Sequence, residues 1–207
     1  MEEKSDKEKP KEYIFDTVCF STNFSSFSSI KILNQFFMST ECLEVNFIND
    51  YNVTFKRKLK VRNNNEIECN NYYQEITPAN KVKIKNEIDC IIIFLDLEYN
   101  DSLGELNKVL KILSNLGKND KSLYIVNFFT EEKDIKQNNK NEKNVKTLLE
   151  KFGFSNFDIL TINMNISEEL IQKIDKITLD ILQEKNLISF ENNDSNLDKS
   201  DSYCLII

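Results

Sequence analysis

Histidine and tryptophan are absent from this 207-residue chain, and glycine and proline occur only three times and twice. Each scarcity excludes something. Without histidine there is no imidazole to pair with a serine or cysteine nucleophile, and a zinc site loses its usual nitrogen ligand. With glycine only at Gly104, Gly117 and Gly153, no glycine-rich loop is available to cradle a phosphate. No run approaches the ~18 continuous apolar residues of a membrane span. A basic surplus is also missing: the net charge is −7 and the pI about 4.9, which argues against a general nucleic-acid binder. The five cysteines (Cys19, Cys42, Cys69, Cys90, Cys204) form no C-x-x-C pair. Their odd number, with no signal-peptide pattern, leads us to expect reduced thiols in the cytosol or nucleus. Cys19 and Cys90 sit in apolar strands and read as small buried hydrophobes.

What is present suits a globular domain with a substantial core: 40% hydrophobic and 11% aromatic residues. Asparagine, lysine and isoleucine are abundant in the manner of an AT-rich genome, so Asn runs such as 63–65 carry little information. Residues 1–11, MEEKSDKEKPK, read as a charged, disordered tail, 12–186 as one domain, and 187–207 as a flexible acidic tail. Within the domain, Tyr13 to Phe20 predicts a strand, and Ile30, Leu33, Phe36 and Phe37 predict a helix over roughly 26–39. ECLEVNFIN (41–49) and YNVTFKRKLKVRN (51–63) alternate as an edge hairpin whose lysines discourage strand addition, or form a basic patch for an acidic partner. Residues 62–86 are expected to be a long irregular loop.

The strongest pattern is IDCIIIFLDL (88–97), apolar on both faces as a central parallel strand requires. A helix follows, with Asp101 or Ser102 as cap and Gly117 as stop. SLYIVNFF (122–129) is a second buried strand. The polar EEKDIKQNNKNEK then leads into a short helix, NVKTLLEKFG, closed by Gly153. FDILTINM (157–164) makes a third buried strand, and residues 167–185 a long amphipathic helix capped by Ser167. Strands alternating with helices predict a doubly wound, mostly parallel α/β sheet of about six strands with helices on both faces. The element order is that of Ras-like small GTPases.

Nucleotide chemistry is missing at every place where that order would put it. On the template G-x-x-x-x-G-K-[ST], this chain has Ser21, Ser26, Phe27 and Ser28, of which only the last fits. No Asp-x-x-Gly stands at the end of the strand at 88–97 to hold Mg²⁺; the one match, Asp101-Ser102-Leu103-Gly104, falls further on, at the start of the helix where Asp101 reads as a cap. The guanine-reading Asn-Lys-x-Asp is Asn127, Phe128, Phe129, Thr130, and Thr161, Ile162, Asn163 stand where Ser-Ala-Lys would. Phosphate cradle, charge neutralisation and base readout are lost together. Asp96, at the end of the central strand, is the one carboxylate in an active-site-like place, and helix capping is its plainer role. We therefore assign no catalytic, cofactor-binding or metal residue, and expect no enzyme activity and no cofactor.

IDCIIIFLDLEYNDSLGELNKVL is similar to the core of the centromere protein M family, inner-kinetochore proteins with a Ras-like fold that do not bind nucleotide. The resemblance rests on Ile88–Asp89 entering an aliphatic strand and Ser102–Leu103 entering a helix. TVCFSTNF and FDILTINMNISEELIQKIDKITLDILQ follow in the family's order. The similarity spans about residues 13–185; the 49–86 segment and the tail after 187 depart from it. It implies a structural subunit, a pseudo-GTPase of the nucleus and kinetochore, partnered by centromere protein I with centromere proteins H and K. No nucleotide and no sequence-specific nucleic-acid contact are implied. Phe24 and Phe27, in the loop where phosphate would lie, are the candidate partner anchors, or else plugs of the empty cleft. A different reading comes from the final CLII, which places Cys204 at a prenylation position and the protein on the cytoplasmic face of a membrane. Terminal isoleucine, an acidic approach and the lack of a polybasic run weigh against it.

Overall fold

The computed structural model describes residues 13–21, 42–49, 52–61, 65–75, 84, 87–97, 101–129, 135–163 and 167–185. They form seven strands, β1 (Tyr13–Ser21), β2 (Cys42–Asn49), β3 (Asn52–Val61), β4 (Asn65–Glu75), β5 (Cys90–Leu95), β6 (Ser122–Phe129) and β7 (Phe157–Asn163). Three described helices accompany them: α1 (Ser102–Asn115), α2 (Ile135–Lys151) and α3 (Ser167–Glu184). The helix expected at 26–39 and both tails lie outside the described residues.

The strands make one α/β sheet in the order β2-β3-β4-β1-β5-β6-β7. β1 runs parallel to β4 and β5, and β5, β6 and β7 are parallel in turn, whereas β2, β3 and β4 form an antiparallel meander. Among the described residues the sheet is therefore seven-stranded and mixed: the run β4-β1-β5-β6-β7 is parallel, whereas the meander is antiparallel and brings one strand more than the six expected. The difference lies in β4, inside the stretch expected to be a loop. Cys69, Asn71 and Tyr73 alternate inward there and are buried, a period-two pattern that Asn70, Asn71 and the neighbouring polar residues disguise.

Because β4 takes the place beside β1, β3 is an internal strand and only β2 of the meander is an edge among the described strands. Lys56 and Lys58 thus guard no edge. They stand on the exposed face of the meander, where Lys56 lies 3.3 Å from Glu68 and 4.0 Å from Glu44. An antiparallel sheet can leave one face in water in this way.

The core has two layers set by strand alternation. Cys90, Ile92 and Phe94 of β5 face α3 along with Phe15, Cys19, Val126 and Phe128. Ile91, Ile93 and Leu95 face α1 and α2 along with Val18, Phe20, Leu123 and Ile125. Leu106, Val109, Leu110 and Leu113 recur every three or four residues, so α1 buries one stripe. Phe94 and Phe128 stack across adjacent strands at 5.7 Å.

Both helices on this face end alike. Gly117 and Gly153 have φ of 66° and 78°, where a Cβ would be strained. The Lys118 N–H donates to Leu113 at 3.0 Å and that of Phe154 to Leu149 at 3.0 Å, closing two Schellman caps. Asn119 Nδ2 then donates to the Phe152 carbonyl at 2.7 Å, tying one helix end to the other. At the start of α1, Asp101 holds the N-cap position without a side-chain cap bond. Ser102 instead donates its hydroxyl to the Asp96 carbonyl. α2 begins well before the expected Asn144, because the polar stretch is helical too: asparagine and lysine cost a helix only a few tenths of a kcal/mol each.

Candidate functional site

In an open α/β sheet a ligand belongs in the crevice beyond the carboxyl ends of the parallel strands. Here that edge comprises the ends of β1, β5, β6 and β7. Its described side chains are engaged in tying those ends together. Asn127, buried at the end of β6, accepts the Leu97 N–H through Oδ1 at 3.0 Å. Asn141 of α2 donates Nδ2 to the Leu97 carbonyl at 2.9 Å. Both backbone groups of Leu97 are thereby satisfied by side chains, as buried polar groups require. At the end of β7, Lys173 of α3 donates to the Thr161 carbonyl at 2.8 Å, and the Thr161 hydroxyl lies 3.4 Å from Glu142. Asp96 is half-buried beside Ser102. Asn127, the one match to a guanine-reading motif, is thus occupied with the backbone of the next strand.

The other residues expected to matter divide clearly. Phe24, Phe27 and Cys204 lie outside the described residues, as do Ser26 and Ser28. Cys19, Cys69 and Cys90 are buried free thiols on the α3 side of the sheet. Burial pushes the Cys69 thiol up to about 11 and the Cys90 thiol up to about 12, and raises Cys19 further. Arg57 opposes the shift at Cys69 and Cys19, and at Cys90 the nearby Thr17 hydroxyl opposes it. Thiols so protonated are poor nucleophiles. Among the described residues no group of three or more histidine, cysteine, aspartate or glutamate side chains could hold a metal, and no helix is long and apolar enough to cross a membrane.

Two polar clusters are not foreshadowed as clusters by the sequence, although Asp89 stands in the Ile88–Asp89 motif. At the entry of β5, the Asp89 carboxylate accepts the Asp16 N–H at 2.8 Å while the Asp89 N–H donates to the Asp16 carbonyl at 2.8 Å. Lys185, just past α3, pairs with the same carboxylate, and Asn70 of β4 reaches the Asp16 side chain at 3.0 Å. Asp89 therefore clamps the entry of β5 to β1 and to the end of α3, and Asp16 carries the cluster on to β4. The second cluster is an ion pair between Arg57 of β3 and Asp175 of α3, both almost wholly buried. Burial raises the Asp175 carboxyl above its usual range, against the opposing pull of Arg57. The run KRK hides an inward arginine between two outward lysines, and only the strand's alternation could have singled it out.

At the opposite ends of β6 and β7 an open recess of about 600 Å³ is lined by Tyr124, Asp158, Asp180 and Glu184 with Asn156, Phe157 and Gln183. The Tyr124 phenol is pushed up to about 12 by burial, then by Cys90 and the three acids. No family model matches the chain, and no curated protein matches it.

Proposed function

We propose that this chain is a non-catalytic, doubly wound domain of the Ras-like kind, serving as a structural subunit of the inner kinetochore. The observation that carries the non-catalytic part is the use of Asn127 and Asn141 to hold Leu97, at the place where a nucleotide-binding relative would read its base. The absence of lysine and glycine from residues 21–28 points the same way. Helices on both faces of a sheet with a parallel β1-β5-β6-β7 half support the Ras-like reading. The kinetochore assignment rests on the similarity of Ile88–Asp89 and Ser102–Leu103, with their flanking strand and helix, to the centromere protein M family. Its partners would be centromere protein I with centromere proteins H and K. Phe24 and Phe27 are its proposed anchors.

Calorimetry with GTP or ATP and Mg²⁺ tests the first half: no heat of binding is expected at millimolar nucleotide, and micromolar affinity would overturn it. Co-expression with centromere proteins I, H and K tests the second, the expected result being a co-eluting complex weakened by Phe27→Ala. The second reading, favoured by Cys204 in the final CLII, is a prenylated Ras-like protein acting at a membrane.

A further inference from the structure

Arg57 and Asp175 make a costly contact. Arginine carries five N–H donors, and here Nη1 meets Asp175 while Nε and Nη2 face no acceptor among the described residues. Arg57 is 2% exposed and Asp175 4%, so water compensates little. Two buried charges with unmet donors stabilise a fold no better than two well-packed apolar side chains of the same size. Something other than net stability is the more economical explanation for the pair.

Its position supplies one. The antiparallel meander joins the rest of the sheet through the β4–β1 pairing. The ion pair adds a link from β3, one strand further out, to α3. That helix is in turn fixed by Lys173 to the end of β7 and followed by Lys185, fixed to the start of β5. Strand β3 alternates Val53, Arg57 and Leu59 inward with Lys56 and Lys58 outward. A slip of one residue would turn Arg57 to water and leave Asp175 buried without its partner. Each element's placement therefore depends on the other's.

We infer that Arg57 and Asp175 form a latch that sets the register of β3 and the seating of α3 together, and that does so at the expense of stability. The full-length chain carrying Arg57→Met and Asp175→Leu tests this. The expected outcome is a folded protein melting at or above the unaltered one, with amides of β3 exchanging at least ten-fold faster. A folded double variant that is less stable, or that keeps its β3 protection, overturns the proposal. Should that variant not fold, the unaltered protein decides. In native-state exchange at rising urea, amides of β3 and α3 are expected to merge into one opening, and separate isotherms overturn the latch.

Discussion

Raising the pH should destabilise this protein steeply, through its buried thiols. Cys19, Cys69 and Cys90 are buried in one layer, and their folded pKa values lie above the ordinary 9.0, at about 11 for Cys69, about 12 for Cys90 and higher for Cys19. Above pH 9 the unfolded chain releases three protons that the native state keeps. The native state then holds the excess, and stability falls as pH rises through the window from 9.0 toward 11 and 12. Each thiol fully ionised in the unfolded chain and protonated in the native one costs about 1.4 kcal/mol per pH unit. By pH 10 the three together should remove about 4 kcal/mol, a large share of a typical domain's ~5–15 kcal/mol. Urea unfolding followed by circular dichroism at neutral pH and at pH 10, with a reductant present, measures this directly. The control replaces all three cysteines by alanine: it starts less stable but should lose much less on going to pH 10. Equal losses in both proteins would refute the reasoning, since the slope would then come from other groups such as the lysine ion pairs.

Removing the Asn127 acceptor should cost about 1–3 kcal/mol, because Asn127→Leu leaves the Leu97 N–H without its partner; exchange at the Leu97 amide should accelerate in parallel. Phe128→Ala empties half of the Phe94–Phe128 stack and should cost about 3–5 kcal/mol by urea midpoint. Asp89→Ala releases the Asp16 N–H and Lys185 and should lower the unfolding midpoint, whereas Asp89→Asn, which keeps an acceptor for the backbone, should recover part of the loss.

The parallel half of the sheet was legible because its physics is local. A run such as CIIIFL, apolar on both faces, has little alternative to a buried strand, and glycine at 117 and 153 ends a helix wherever the next turn needs positive φ. The meander was harder to read. β4 buries Asn71 and leaves other polar residues outward, so its alternation is apparent only once the strands beside it are known. Asp89 was visible as a motif residue, yet its role as a clamp depends on β1, β4 and α3 converging from distant parts of the chain. Arg57 and Asp175 lie more than a hundred residues apart, and nothing local marks either as buried. As to the crevice, sequence read its missing nucleotide motifs directly, but not that Asn127 and Asn141 would grip the same residue.

The central claim, a structural role at the kinetochore, is tested most directly by following the Cys204→Ser chain, fluorescently tagged at its N-terminus, in dividing cells. The expected result is that it marks centromeres as the unaltered chain does. A protein found on membranes, and released from them by that single substitution, would contradict it.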